Sequence, residues 1–237
     1  MGRAKEIIVK VIPAKIANEF VKKHHYSGKV VPNSTLHFGA FLDNKLHGVL
    51  SYGTPMDKRR VMPLVTPSLW NEMLELNRMA FDDYLPKYSE SRCIAISIRL
   101  LKKNAPHIKW ILSYSDGTQC GDGTIYRASG FHLTGIKENK TILNWNGRII
   151  ADKTLNNSNY KKLGFSASAA KKDGAKPLNG YQLRYIYLID KSCKINAPII
   201  PFDKIDEIGA GMYKGQKITL QERRATLSEE VDSNATS

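Results

Sequence analysis

Trp110-Ile111-Leu112-Ser113-Tyr114-Ser115-Asp116, followed across a short loop by Gly121-Asp122-Gly123-Thr124-Ile125-Tyr126-Arg127-Ala128-Ser129-Gly130-Phe131, is the stretch that decides how this chain is built. An apolar run turning polar at Ser113 reads as a strand that carries Asp116 out to a rim. The glycine-rich loop then enters a helix of one to two turns, Gly123 to Ser129, closed by Gly130. Backbone N–H groups around Gly121, Gly123 and Thr124 can there hold an anion. An acid beside an anion-holding turn, on a rigid strand end, is a frequent way to build an enzyme site.

Outward from this stretch, Lys5 to Ile12 reads as a strand and Pro13 opens a helix. Ile16, Ala17, Phe20 and Val21 give that helix one apolar stripe, and Gly28 ends it after His24-His25-Tyr26-Ser27. Leu36–Leu42 and Leu46–Tyr52 flank the turn Asp43-Asn44-Lys45 as a hairpin. Met73–Phe81 is the next strand, with Leu74, Leu76 and Arg78 on one face by period two. Ser91 to Lys103 is a helix apolar on most sides, hence packed on a sheet. After the opening stretch, Phe131–Ile136 and Thr141–Trp145 read as two closing strands and Tyr181–Ile189 as a late one. The order β-α-β-β-β-α-β-α-β-β implies a mixed α/β layer fold. Residues 1–200 read as one domain, with a basic insertion at about 150–180 whose Asn156–Lys176 part is polar and mobile. Residues 201–237 form a C-terminal extension, with Leu227–Ser237 an acidic, disordered tail.

No run approaches the roughly 20 apolar residues that span a bilayer, and the N-terminus has no apolar signal core. A membrane partner is not expected. Cys93, Cys120 and Cys193 are odd in number and far apart, so a reducing cytoplasm fits and each thiol reads as a small buried hydrophobe. The formal net charge is +14, and half of it lies between Lys137 and Arg184, where ten Lys and Arg face three acids. So local an excess points to nucleic acid.

Several side chains carry chemistry. Ser89, Ser91 and Arg92 sit at a helix start, where hydroxyls, backbone N–H groups and a guanidinium suit a phosphate. Plain N-capping is the competing reading. Arg78 needs a partner, either Asp116 or a ligand phosphate. Asp116 can act as general base and Tyr126 can deliver a proton. His25 and Tyr26 end the first helix, where the imidazole can serve as acid, base or metal ligand.

At these residues a family resemblance becomes specific. Tyr126-x-x-x-Gly130-Phe131 after a strand looks like the last helix of the GNAT acyltransferase fold. His25-Tyr26-Ser27-Gly28-Lys29, Leu76-x-Arg78-Met79, Ser89-Glu90-Ser91-Arg92, Leu112–Asp116 with Gly123–Gly130, and Leu183–Leu188 together resemble the Mom-type phage DNA-modification proteins, over roughly residues 5–200. The resemblance implies a GNAT-like fold, with a mostly antiparallel central sheet flanked by helices. It implies an enzyme that places a carbamoylmethyl (acetamido) group on adenine N6 of double-stranded phage DNA, in the host cytoplasm, against restriction nucleases. His25, Tyr26, Arg78, Ser91, Asp116 and Tyr126 match residues implicated in that family's activity. An acetyl-CoA-type donor and bound iron, with His25 as a candidate ligand, belong to the same implication. The segment Leu85–Ser91 lacks the glycines of the usual CoA pyrophosphate loop, which leaves another nucleotide-bearing donor, such as an aminoacyl-tRNA, open. Two other functions stay open: an ordinary GNAT acetyltransferase of protein or small-molecule amines, and a non-catalytic basic DNA-binding protein. The sequence leaves the oligomeric state open, a dimer included.

Overall fold

The computed structural model describes residues 3–156 and 158–222. In chain order its elements are β1 (Ile8–Val11), α1 (Ala14–His24), β2 (Ser34–Leu42), β3 (Lys45–Gly53), α2 (Lys58–Val61), β4 (Val65–Thr66), β5 (Met73–Phe81), α3 (Ser89–Asn104), β6 (Trp110–Asp116), α4 (Thr124–Ala128), β7 (His132–Glu138), β8 (Ile142–Trp145), β9 (Arg148–Ala151), α5 (Asp152–Leu155), α6 (Ser158–Lys162), α7 (Ala167–Lys172), β10 (Lys176–Pro177), β11 (Tyr181–Leu188), β12 (Lys194–Ile195), α8 (Asp203–Glu207), β13 (Met212–Tyr213) and β14 (Gln216–Lys217).

The expected mixed α/β fold forms around a seven-stranded sheet ordered β1-β2-β3-β5-β6-β11-β7. Strands β1, β2, β3 and β5 pair antiparallel. The β2–β3 hairpin turns through Asp43 and Asn44, both at positive φ, as a two-residue turn between twisted strands requires. Strands β5 and β6 are parallel, so a crossover must join them, and α3 is that crossover. Its Cys93, Ile94, Ser97, Ile98 and Leu101 are buried.

One expected closing strand goes elsewhere. β7 edges the main sheet, but β8 pairs with β9 and β10 in a separate three-stranded sheet. The place beside β6 is taken by β11, whose Leu183, Tyr185 and Ile186 are wholly buried. The physical reason is length: β8 has four residues, while β11 supplies eight with three of them wholly buried.

The described residues fall into two compact units: 3–114, 123–135 and 184–201, then 115–122, 136–183 and 202–222. In the first, Ile12, Ala17, Val21, Val49 and Ala80 form one core under α1. A second core joins Met73, Trp110, Leu112 and Ile186 to Val61 and Val65. In the second unit, β8 and β9 form a hairpin on Asn146-Gly147, both at positive φ. Leu143, Leu155, Ala167, Ala170 and Ala175 make its core. Asn156–Lys176, expected as a polar, mobile insertion, contributes to this core and carries helices. Apart from residue 157, which lies outside the described residues, it holds α6 and α7, and Ser166 caps α7 at Ala169 N (3.0 Å). Alanines sparse among lysines build that core, which average polarity conceals. The tail Leu227–Ser237 also lies outside the described residues. No described helix is long and apolar enough to cross a membrane. Cys93 and Cys193 are buried as expected, whereas Cys120 is exposed.

Candidate active site

Arg78 is placed by an irregularity of β5. Ser51 faces Arg78 across the β3–β5 pair, but Tyr52 faces Leu76, so Asn77 is an extra residue on β5. Successive strand residues point to opposite faces. Ser51 and Tyr52, and with them Arg78 and Leu76, therefore lie on opposite faces of the sheet. The expectation that Leu74, Leu76 and Arg78 share one face is corrected: the bulge turns the arginine over. Its new side is that of α1, shared with Val49 and Ala80.

There the half-buried guanidinium donates from Nε to the Lys29 carbonyl (2.9 Å) and from Nη1 to the Asn77 carbonyl (3.0 Å). Burial pulls its pKa down, and Tyr26, Glu75 and Tyr126 lie within electrostatic reach and oppose that pull. Arg78, Tyr26 and Tyr126, singled out separately in the sequence, are thus brought into one neighbourhood. Beyond Leu76 and Ser113 the β5–β6 register stops, although β5 continues to Phe81. Ser113 Oγ closes the paired part by donating to Leu76 O (2.9 Å). Arg78 stands on the strand half that has left β6.

Three further residues join this neighbourhood without a sequence signal that singled them out. Ser51 and His37 continue the row from Arg78 across β3 and β2, and His37 Nδ1 meets Ser51 Oγ at 2.8 Å. His37 is buried and its Nε2 has no partner among the described residues. Burial lowers its pKa. Glu75, two residues from the bulge, bears on both Arg78 and Tyr114. Polar residues recurring on neighbouring strands are a weak hint, readable once the register is known.

Tyr26 is half exposed, and its ring lies against His25 (centroids 4.3 Å). Tyr126 is 8% exposed, packed between Phe131 (5.4 Å) and Tyr185 (5.1 Å). Gly123, just before it, has φ 90°, and a Cβ there would sit 2.5 Å from the Tyr185 ring. Both facts require glycine. Thr124 Oγ1 accepts from Arg127 Nη2 (3.1 Å).

At the start of α3, Ser89 is buried and its hydroxyl donates to Pro86 O. Ser91 Oγ donates to Tyr88 O (3.1 Å), and Arg92 Nη2 donates to Lys5 O (3.1 Å). Both hydroxyl protons are thus spent on local carbonyls, and no side chain caps the helix. The Ser89 N–H also donates to Pro86 O (3.3 Å), so what this 16-residue helix has to give a phosphate is its dipole and the N–H groups after Ser89.

In the second unit, Asp116 accepts from Thr118 N (2.9 Å) and Gln119 Nε2 (3.0 Å). The Cys120 and Gly121 N–H groups both donate to the Asp116 carbonyl at 3.0 Å. Gly121 N–H therefore shapes the turn.

An iron ion does not fit these residues. His25 Nδ1 accepts from Ser27 N–H (3.1 Å) and so is engaged within its own turn. Among the described residues, no three His, Cys, Asp or Glu gather as a metal would require.

A profile of the Mom protein family matches residues 6–204. The chain belongs to the Mom family. It is 34% identical over 136 residues to the methylcarbamoylase Mom of Escherichia phage Mu, a match covering 57% of this chain and 56% of that relative. The chain therefore matches a little over half the length of that Mom protein. Among solved structures, an acetyltransferase of Bacillus subtilis in complex with CoA is similar at 10% identity and TM-score 0.44, covering 77% of this chain and 98% of that one. A GNAT family acetyltransferase from Streptococcus pneumoniae is similar at 11% identity and TM-score 0.43, covering 77% and 98%. The residues gathered around Arg78 all fall inside the stretch the Mom profile matches.

Proposed function

We propose that this protein is a DNA-modifying transferase that places a carbamoylmethyl group on adenine N6 in phage DNA, inside the host cell, and so shields that DNA from restriction nucleases. The observation that carries the reading is the convergence of Arg78, Tyr26 and Tyr126, within a chain that belongs to the Mom family.

Adenine N6 is a poor nucleophile because its lone pair is delocalised into the ring. A base inside the duplex is also out of reach, so the target adenine is flipped out of the stack. For the product to form, an N6–CH2 bond is made, N6 loses a proton, and the donor's leaving group departs. Tyr26, half exposed, stacks against or orients the base. Arg78 holds negative charge that develops on the donor side, where its partial burial strengthens the field. Tyr126 supplies a proton to the leaving group. The N6 proton leaves to a general base, the role for which the sequence singles out Asp116.

Acetyl transfer alone would make an amide at N6, so the electrophilic carbon of the donor is a methylene carbon. The balanced donor is a carboxamide with a leaving group on its CH2; a nucleotide on that leaving group would set its phosphate at the first turn of α3. The basic second unit supplies countercharge to the DNA backbone.

Nucleoside mass spectrometry of DNA from cells expressing the protein tests this. A modified deoxyadenosine is expected, lost in Arg78→Ala and Asp116→Ala with the protein still folded. Unmodified DNA from cells that express the wild type well would overturn the proposal. Salt-dependent DNA binding without any modified nucleoside would instead favour a non-catalytic binder, the reading suggested by the charge excess.

A further inference from the structure

Residues 54–72, between β3 and β5, take no part in the site above. They line an open surface groove with a cavity volume of about 420 Å³, bordered by Thr54, Met56, Asp57, Lys58, Arg59 and Trp70, among others. That is the size range of small-ligand sites, with room for one nucleotide. Met56 is 77% exposed and Trp70 50%. The two lie on one groove, and exposed apolar surface rimmed by polar groups marks a place where something binds.

The wall is built rather than loose. Val61 and Val65 are buried in the core with Trp110. Strand β4 pairs with β12, and Trp110 Nε1 donates to Ser68 Oγ (2.8 Å). Lys58 Nζ lies over the Trp70 ring at 4.9 Å and donates to the Trp70 carbonyl (2.8 Å). The charges divide cleanly. Asp57 accepts from Arg60 N and pairs with Arg60 Nε, both at 3.2 Å. Lys58 and Arg59 remain as two cations on the cavity wall, beside one aromatic face. With Lys58 over one face of the indole, the other face and the neighbouring Arg59 suit a base carrying a phosphate.

The cavity also lies near Arg78. Strand β3 runs from Ser51, opposite Arg78, to Gly53, and the loop begins at Thr54, three residues or roughly 10 Å along. Asp57 and Glu75 both bear on Tyr114, and Glu75 bears on Arg78. We infer that this cavity takes a nucleotide of the DNA strand flanking the modified adenine, its base stacked on Trp70 and its phosphate held by Arg59 and Lys58. The inference rests on DNA being the substrate.

The test uses the full-length protein and a fluorescein-labelled duplex, with affinity read by anisotropy across a salt series. Loss of one stacked base corresponds to about a 5- to 150-fold weakening. Trp70→Ala is expected to weaken binding by that factor, and Trp70→Phe to keep most of it. Arg59→Gln is expected to lower the salt slope by about one. Melting curves confirm that each variant is folded. Equal binding by wild type and Trp70→Ala overturns the inference while leaving DNA as substrate. So does a Phe variant as weak as the Ala one. So would quenching of Trp70 by free adenosine monophosphate with duplex affinity unmoved in Trp70→Ala, which would give the cavity to a free nucleotide. A wild type that binds no DNA overturns both this inference and the functional reading beneath it.

Discussion

Arg78 owes its position to Asn77, one residue more than the ladder with β3 requires. The row it joins, His37–Ser51–Arg78, puts an imidazole in the middle of the sheet. His37 Nδ1 is satisfied by Ser51, Nε2 is not, and protonating the ring would put a buried charge on the same face as the Arg78 cation. Burial depresses the folded-state pKa below the free value of about 6.5. The unfolded chain thus binds the proton first as pH falls. The sign follows: stability is at its full value above about pH 6.5 and declines as pH drops through the folded pKa. Melting temperatures at pH 7.5 and 5.5 should differ more for wild type than for His37→Asn, whose side chain cannot take up the proton. An equal drop in both would assign the acid sensitivity to other groups.

At the scale of elements, the joint between α3 and the sheet rests on a buried polar pair. Tyr52 OH and Ser97 Oγ lie 2.7 Å apart, both fully buried, and burial raises the Tyr52 pKa. Ser97 Oγ also donates to Ile94 O (2.8 Å), so it accepts the tyrosine proton. Ser97→Ala strands the phenol and should cost about 1–3 kcal/mol, roughly 2–10 °C in melting temperature. Tyr52→Phe combined with Ser97→Ala should cost clearly less than the two single changes added together, because nothing polar is then left unpaired. Strict additivity would deny the pair its role. Neither partner stands out in the sequence, since a tyrosine in an apolar strand and a serine in an apolar helix look like ordinary filler. Elements with one strong period were legible: α1 by its stripe, β2 and β3 by their turn, α3 by its apolar faces, β6 by its polar end. The β5 bulge was not, because period two assumes an unbroken ladder, and an extra residue reverses every face after it. The β8–β9 hairpin did have a signal in Asn146-Gly147. For the candidate site, Tyr26, Arg78 and Tyr126 were legible as chemistry, whereas His37, Ser51 and Glu75 emerge only from cross-strand register and electrostatic reach.

Over the whole molecule, the charge excess is unevenly held. Residues 136–183 carry nine Lys and Arg against three acids. Two of those acids are committed to neighbours: Glu138 to Lys140 (2.9 Å) and Asp152 to Lys171 (3.2 Å). Asp173 accepts from Trp145 Nε1 (2.8 Å). Arg148, Lys153, Lys161, Lys162 and Lys172 are exposed and have no carboxylate partner among the described residues. Cations without internal partners contribute little to folding, and their cost in self-repulsion falls when phosphates approach. If they meet the DNA backbone, each neutralised phosphate adds about 0.9 to the slope of log affinity against log salt. Replacing Lys153, Lys161, Lys162 and Lys172 with Gln should therefore flatten that slope by up to about 3.6. Affinity should fall by the same factor for duplexes of unrelated sequence, since backbone contacts carry no base information. The melting temperature should change little, because surface substitutions of this kind usually stay within about 0.5 kcal/mol. An unchanged slope in the quadruple variant would remove the second unit from the DNA interface. A loss confined to some sequences would mean that these lysines read bases and do not merely hold the backbone.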